Sequence, residues 1–490
     1  MSSREKRLAS LWAEYWRAQY RVALGDKDAS TLRIRAEIRE VLTASGFPET
    51  LAQTRFAEPL VERRRQLFLE ETADARIAGD PELAALTEDL EKTYAAARFT
   101  VGGKKIARAE LNTIVSQDPD RAKRRQAWEA RAEMERLAGA RVREAMALRE
   151  KLARKYAGQS YPDFMLRRNQ VDRAKMRAAF EEIRRGTEEE FGRLASRAKR
   201  ELGVERLEPW DLDYFSSRLS GPETDRALAR AKAWPRIQAL ALSLGYDFPK
   251  LPVTLKIADI AFGGGTYPIL YGKEVRILVN TYEGLMFTDT LLHESGHALH
   301  YCYDSESTFL LQSNYAQPFD EGLGQVMALC LYEPDVALRF FGLSREEASR
   351  LSEAYRLGSL YDLRQRIASS LFELEAYANP GQDLAAAYDR LFQAYVGVSA
   401  HGLPVWVFNP FYATGPIYLQ SYVLAEMVGR QVHRAVNRKF GASWGPEAGA
   451  YLRERLFSKG GSRTMDQILE DATEEPLSTS ALVEALTSRP

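Results

Sequence analysis

Two histidines four residues apart, with a glutamate directly after the first, constrain this chain more than any other feature. The stretch is Thr290-Leu291-Leu292-His293-Glu294-Ser295-Gly296-His297-Ala298-Leu299-His300. On an α-helix, His293 and His297 are about 400° of turn apart, which stacks their imidazoles on one face where they can share a metal ion. Glu294 projects about 100° further round. It then stands beside the ion instead of on it, placed to take a proton from a water held there. Leu291, Leu292, Ala298 and Leu299 predict a buried helix, and Gly296 leaves room for a second backbone to pass close by. The chain has 5 histidines among 490 residues, so roughly half a percent of chains of this composition would show the pentapeptide by accident. The motif therefore has to be supported by a third ligand.

The long zinc motif that ends in a further histidine is absent, so a carboxylate from a second helix is the remaining solution. Pro318-Phe319-Asp320-Glu321-Gly322-Leu323-Gly324-Gln325-Val326-Met327-Ala328-Leu329 reads as that helix. Asp320 and Glu321 are both candidates. Asp320 also fits a first-turn charge favoured by the helix dipole, whereas Glu321 sits beside glycines that let it approach. Two histidines and a glutamate make a catalytic zinc shell with its fourth position open.

With Glu321 and then Gln325 about two dozen residues after His293-Glu294-Ser295-Gly296-His297, the sequence resembles the thimet oligopeptidase and oligoendopeptidase F family of zinc peptidases. It shares features with the carboxypeptidase Taq and angiotensin-converting enzyme families. The resemblance is strongest over residues 255–430. It implies a mainly α fold, a large helical zincin-like (gluzincin) body with a small β-sheet beside the zinc helix and a deep substrate channel between two lobes. It also implies one Zn2+ per chain on His293, His297 and Glu321, with Glu321 preferred to Asp320, and Glu294 as general base. The implied substrates are oligopeptides.

Peptide hydrolysis also needs donors for the developing oxyanion, which a tyrosine hydroxyl or a histidine supplies. His401 in a Gly-containing loop precedes Trp406-Val407-Phe408-Asn409-Pro410-Phe411-Tyr412-Ala413-Thr414-Gly415-Pro416-Ile417-Tyr418. This stretch resembles the family segment in which a histidine precedes a tyrosine-rich helix facing the zinc. Tyr412 is the expected donor, with His401 as its companion and Tyr418 and Tyr422 as alternates. His433, on a charged helical segment, is expected to be solvated.

The first hundred residues are rich in Ala, Leu, Arg and Glu at helical spacing and predict antiparallel helices, for example over residues 4–24 and 59–79. Val101-Gly102-Gly103-Lys104 reads as a turn. Ser116 is expected to cap a long helix with Pro119 in its first turn. After Gly245-Tyr246-Asp247-Phe248-Pro249 the pattern changes. Residues 251–257, 266–271 and 274–280 read as strands of a small sheet, with Tyr271-Gly272-Lys273 as a hairpin turn. An exposed edge there would pair with an extended peptide main chain. The expected division is a helical N-terminal lobe, residues 1–248, and a catalytic lobe, residues 249–490.

Lys plus Arg equals Asp plus Glu, at 68 each, so no field of one sign calls for nucleic acid or an anionic membrane. There is no run of 18 apolar residues and no leader-like segment. Cys302 and Cys330, the only cysteines, both lie in apolar stretches, which fits buried thiols and a cytoplasmic protein. Two other functions compete with an oligopeptidase. One is a carboxypeptidase or peptidyl-dipeptidase acting at peptide C-termini, for which Arg276 in Lys273-Glu274-Val275-Arg276-Ile277 is a candidate carboxylate anchor. The other is an inactive helical peptide-binding scaffold.

Overall fold

Apolar residues at three- and four-residue spacing become helices along almost the whole chain. The structure is a computed structural model that describes residues 1–488 apart from Ser45, Ala261 and Ser443. The N-terminal helices Ser2–Ala23 and Pro59–Ala78 match the expected segments to within two residues. Further along, the expected cap is displaced. Ser116 belongs to the last turn of Arg108–Gln117, and Asp120 starts the next helix, Arg121–Ala130, by accepting from the Ala122 and Lys123 N–H groups. A carboxylate at that position satisfies two otherwise orphaned donors.

Strands are few. β1 (Arg98–Val101) and β2 (Lys104–Ala107) form a hairpin around Gly102 and Gly103, both at positive φ, the backbone state that a two-residue hairpin turn requires. β3 (Val253–Ile257), β4 (Gly264–Leu270) and β5 (Glu274–Val279) form the second sheet in the order β3-β5-β4. β3 runs parallel and β4 antiparallel to the central β5, and Gly272 turns between β4 and β5 with φ of 68°. β4 is therefore an edge strand. One of its faces meets the N-terminal helix, where Tyr267 lies edge-on to Tyr20 with ring centroids 5.3 Å apart.

The metal-motif residues fall on one helix, Gly284–Tyr303, which packs across β4 and β5, and on a second, Gln317–Leu329, packed against the first. Glycines set how closely these helices approach. A Cβ on Gly296 would stand 2.4 Å from the Leu323 carbonyl oxygen, and one on Gly322 2.5 Å from Val428 Cγ1 of a third helix, Leu419–Phe440. Any side chain there would push the helices apart.

Two main apolar cores hold the body together. One combines Ile77 to Phe215 with residues from Leu357 to Met427, together with Leu482 and Leu486. The other combines Leu228 to Leu351 with residues from Val428 to Ala472. The long helix Arg345–Ala378 and the helix Leu419–Phe440 each pass from one core into the other. Each core thus draws on separated stretches of the chain. The long helix opens on a reciprocal capping box between Ser344 and Glu347. Among the described residues no helix is long and apolar enough to cross a membrane.

Candidate metal centre

Helical periodicity brings His293 and His297 onto one face, and the glycine-lined contact brings Glu321 to them. The two Nε2 atoms are 3.0 Å apart, and Glu321 Oε2 is 3.2 Å from His293 Nε2. One ligand atom from each of the three residues lies within 4.8 Å of the others. Ligands at zinc distances of 2.0–2.1 Å in a tetrahedron stand about 3.3 Å from each other, which the 3.0 Å and 3.2 Å separations approach. Gly324 is part of this fit. A Cβ there would be 2.6 Å from His293 Cε1 and 2.7 Å from Nε2, inside the space the imidazole occupies.

Asp320, one residue before Glu321 and about 100° away on the helix, takes a different role. Its Oδ1 lies 3.1 Å from His297 Nδ1 and 3.3 Å from His300 Nδ1, and its Oδ2 accepts from the Tyr301 hydroxyl at 2.9 Å. A carboxylate facing Nδ1 keeps the proton on that nitrogen and leaves the Nε2 lone pair for a metal. His300, three residues after His297, points elsewhere. It is fully buried, and its Nε2 faces the Lys459 carbonyl oxygen at 2.9 Å.

The electrostatics call for a cation. Burial opposes a charged His297 ring, but the neighbouring carboxylates of Asp320, Glu294 and Glu321 outweigh it and push the imidazole up to about 10. For Glu321, burial would raise the carboxyl, yet His293, His297 and Tyr418 hold it below its ordinary value. Three carboxylates around two imidazoles leave negative charge that a divalent ion would neutralise. Donor type, spacing and charge all fit zinc.

Glu294, six percent exposed, stands beside the cluster. The Thr266 hydroxyl on β4 donates to its Oε2 at 2.8 Å and also lies 3.0 Å from its carbonyl oxygen. The preceding Gly264 makes this approach possible, since a Cβ there would be 2.8 Å from Thr290 Cγ2 and 3.3 Å from Glu294 Oε1. Sequence patterning suggested a strand near the helix, but no local signal marked Thr266 as the partner of Glu294.

The expected electrophiles are placed differently. Tyr412 is fully buried among Phe372 and Trp406, and its hydroxyl donates to the Ser369 carbonyl oxygen at 3.3 Å. A side chain with no exposed surface and a committed hydroxyl is a core residue and does not meet substrate. His401, at φ of 56°, stacks on Trp210 and pairs through Nε2 with Glu208 at 2.8 Å. None of these partners belongs to the cluster. Tyr418 is brought in, with its hydroxyl donating to Glu321 Oε1, and Tyr422 stands behind it with ring centroids 5.3 Å apart. Arg366 lies over the Tyr422 ring. His433 is buried, not solvated, and its Nε2 donates to the Val326 carbonyl oxygen. Arg276 pairs with Glu274 and covers the Tyr20 ring.

A cavity of about 380 Å³ adjoins the centre, lined by Thr266, Asp320 and Tyr418 together with Trp12, Trp16 and Arg168 of the N-terminal half. The N-terminal helix is pinned here, with Glu5 accepting from the Leu310 N–H at 2.9 Å. That a segment some 280 residues away in sequence helps line the cleft had no sequence signature.

No family model and no curated protein matches this sequence. Among solved structures, the chain is similar to the crystal structure of an M32 carboxypeptidase from Deinococcus radiodurans R1. The TM-score is 0.69 at 15% identity, covering 99% of this chain and 97% of that one. The chain has that mainly helical fold, with its small sheet, over nearly its whole length. The similarity does not support the narrower assignment to oligoendopeptidase F.

Proposed function

We propose that the protein is a zinc-dependent peptidase acting on short peptides. The observation that carries this reading is the convergence of His293 Nε2, His297 Nε2 and Glu321, with Glu294 held alongside by Thr266. Zinc bound there would lower the pKa of its water and polarise the scissile carbonyl. Thr266 orients the Glu294 carboxylate, which would take the proton from the attacking water and return it to the leaving amine. Asp320 keeps His297 in the tautomer that presents Nε2. The Tyr418 and Tyr422 pair, not Tyr412, supplies the hydroxyls beside Glu321 that can meet the oxyanion. The cavity bounded by the N-terminal helix admits an extended segment and excludes a folded protein.

Replacing Glu294 with Gln tests this reading. Zinc content should stay at one per chain while turnover of a mixed peptide set falls by at least a thousandfold, roughly the contribution of a positioned base together with loss of its proton delivery. Retained turnover would assign the base elsewhere. A wild-type protein that purifies without zinc and cleaves nothing would support the inactive scaffold.

A carboxypeptidase mode is the second reading, favoured by the whole-length likeness to a carboxypeptidase. Arg276, the candidate anchor, would have to exchange Glu274 for the substrate carboxylate. Digesting one peptide with a free and with an amidated C-terminus separates the modes. A carboxypeptidase loses the amidated peptide, whereas an oligopeptidase cleaves both.

A further inference from the structure

Tyr418 reaches the metal ligand Glu321 from a segment whose backbone is held at four points by buried side chains. Arg149, on the helix Ala140–Ala157 and four percent exposed, donates to the carbonyl oxygens of Tyr412, at 3.2 Å, and Ala413. Glu373, on the long helix and one percent exposed, accepts from the Ile417 N–H at 3.0 Å through Oε1. Gln420 donates to the Ile417 carbonyl oxygen at 2.7 Å. Ile417 itself has φ of 55°, which a β-branched residue adopts only when its surroundings impose it. The next residue is Tyr418. A left-handed turn at 417 rotates the chain entering the helix Leu419–Phe440, so that the Tyr418 hydroxyl meets Glu321 Oε1.

We propose that Glu373 is a positioning residue, with Arg149 as its companion, forming a buried brace that holds Ile417 in its left-handed conformation and so keeps the Tyr418 hydroxyl on Glu321. The inference rests on the metal reading given above. Glu373 Oε2 finds no partner among the described residues, and burial pushes the carboxyl up to about 8, although the Ile417 N–H and Arg149 counter that rise. A buried acidic side chain that serves one backbone N–H is costly to keep unless that N–H matters. Glu373 acts through reach, not charge, because its neutral form still offers a carbonyl oxygen to Ile417.

Two conservative variants separate reach from charge. Glu373→Asp keeps the carboxyl but withdraws it by about one methylene, ~1.5 Å, and Glu373→Gln keeps the reach but removes the ionisable group. The readout is the rate at which bound zinc passes to a chromogenic chelator, compared with Tyr418→Phe and the double variant Glu373→Asp/Tyr418→Phe. Supporting groups around metal ligands contribute about 10- to 100-fold in affinity. Tyr418→Phe and Glu373→Asp should therefore each release zinc about tenfold faster. The double variant should be no faster than Tyr418→Phe alone, and Glu373→Gln should match the wild type. Effects that multiply in the double variant, or a Glu373→Asp protein that releases zinc at the wild-type rate, would overturn the inference. So would a fast Glu373→Gln beside a slow Glu373→Asp, which would make Glu373 a counter-ion of Arg149. A wild type that binds no zinc would instead sink the metal reading, and the two failures cannot be confused.

Discussion

Asp320 offers the sharpest quantitative test, because its two oxygens meet three polar groups whose geometry is known. Oδ1 faces Nδ1 of both His297 and His300, and Oδ2 receives the Tyr301 hydroxyl. In Asp320→Asn, the amide oxygen can take the Oδ1 position and keep both imidazoles. The amide nitrogen then faces Tyr301, whose hydroxyl oxygen can turn and accept from it. Geometry survives and the negative charge goes, so the loss should sit at the low end for groups that support metal ligands. That is about tenfold in zinc affinity, or ~1.4 kcal/mol. Asp320→Ala removes both acceptors and leaves the buried His300 without its Nδ1 partner. The loss should then rise to about 100-fold, ~2.7 kcal/mol, accompanied by a lower melting temperature. Competition with a chelator of known affinity measures both values, and calorimetric melting of the zinc-free proteins separates metal binding from folding. Equal zinc affinity in wild type and Asp320→Ala would refute the tautomer argument. A larger loss in Asn than in Ala would show that an amide cannot be accommodated as described.

Two further outcomes follow from the geometry. Gly324→Ala places a methyl 2.6 Å from His293 Cε1, and the imidazole must swing out of the cluster to relieve the overlap. The purified variant should hold less than a tenth of the wild-type zinc at limiting metal, and full occupancy would show that the helices separate instead. The second concerns pH. The Glu373 carboxyl rises from 4.5 in the unfolded chain to about 8 in the folded one, so between those values the native state holds the extra proton and stability falls as pH rises. The integrated loss is on the order of 4 kcal/mol. Denaturant midpoints at pH 5 and pH 8.5 should therefore differ more for the wild type than for Glu373→Gln, and equal differences would contradict the burial of an ionisable group there.

How far the residues alone reach depends on the range of the interaction. Pairing of His293 with His297 follows from the pitch of a single helix, and the Ser344 start of the long helix from a capping box four residues long. Gly272 marks a hairpin turn for the same local reason. These features involve neighbours along the chain, whose geometry backbone stereochemistry sets without help from the rest of the molecule. The choice between Asp320 and Glu321 is of another kind, since it turns on how the second helix is rotated against the first, to within the 100° that separates adjacent residues. Gly296 and Gly322 signal a close approach but not its angle.

Tyr412 and Tyr418 show the same divide more strongly. Six residues apart in one aromatic stretch, they look alike in sequence. Only the buried carboxyl of Glu373 and the left-handed turn at Ile417 send one into the core and the other to Glu321. His401 likewise lies near these tyrosines in sequence but pairs with Glu208 across the fold. The sequence alone thus determined which chemistry the chain is suited to, because a candidate metal-binding pair and a candidate base on one helix are written in local spacing. The tertiary structure alone decided which carboxylate, which hydroxyl and which distant helix complete the site. Those choices are made by packing between segments that backbone stereochemistry leaves free to rotate and slide against each other.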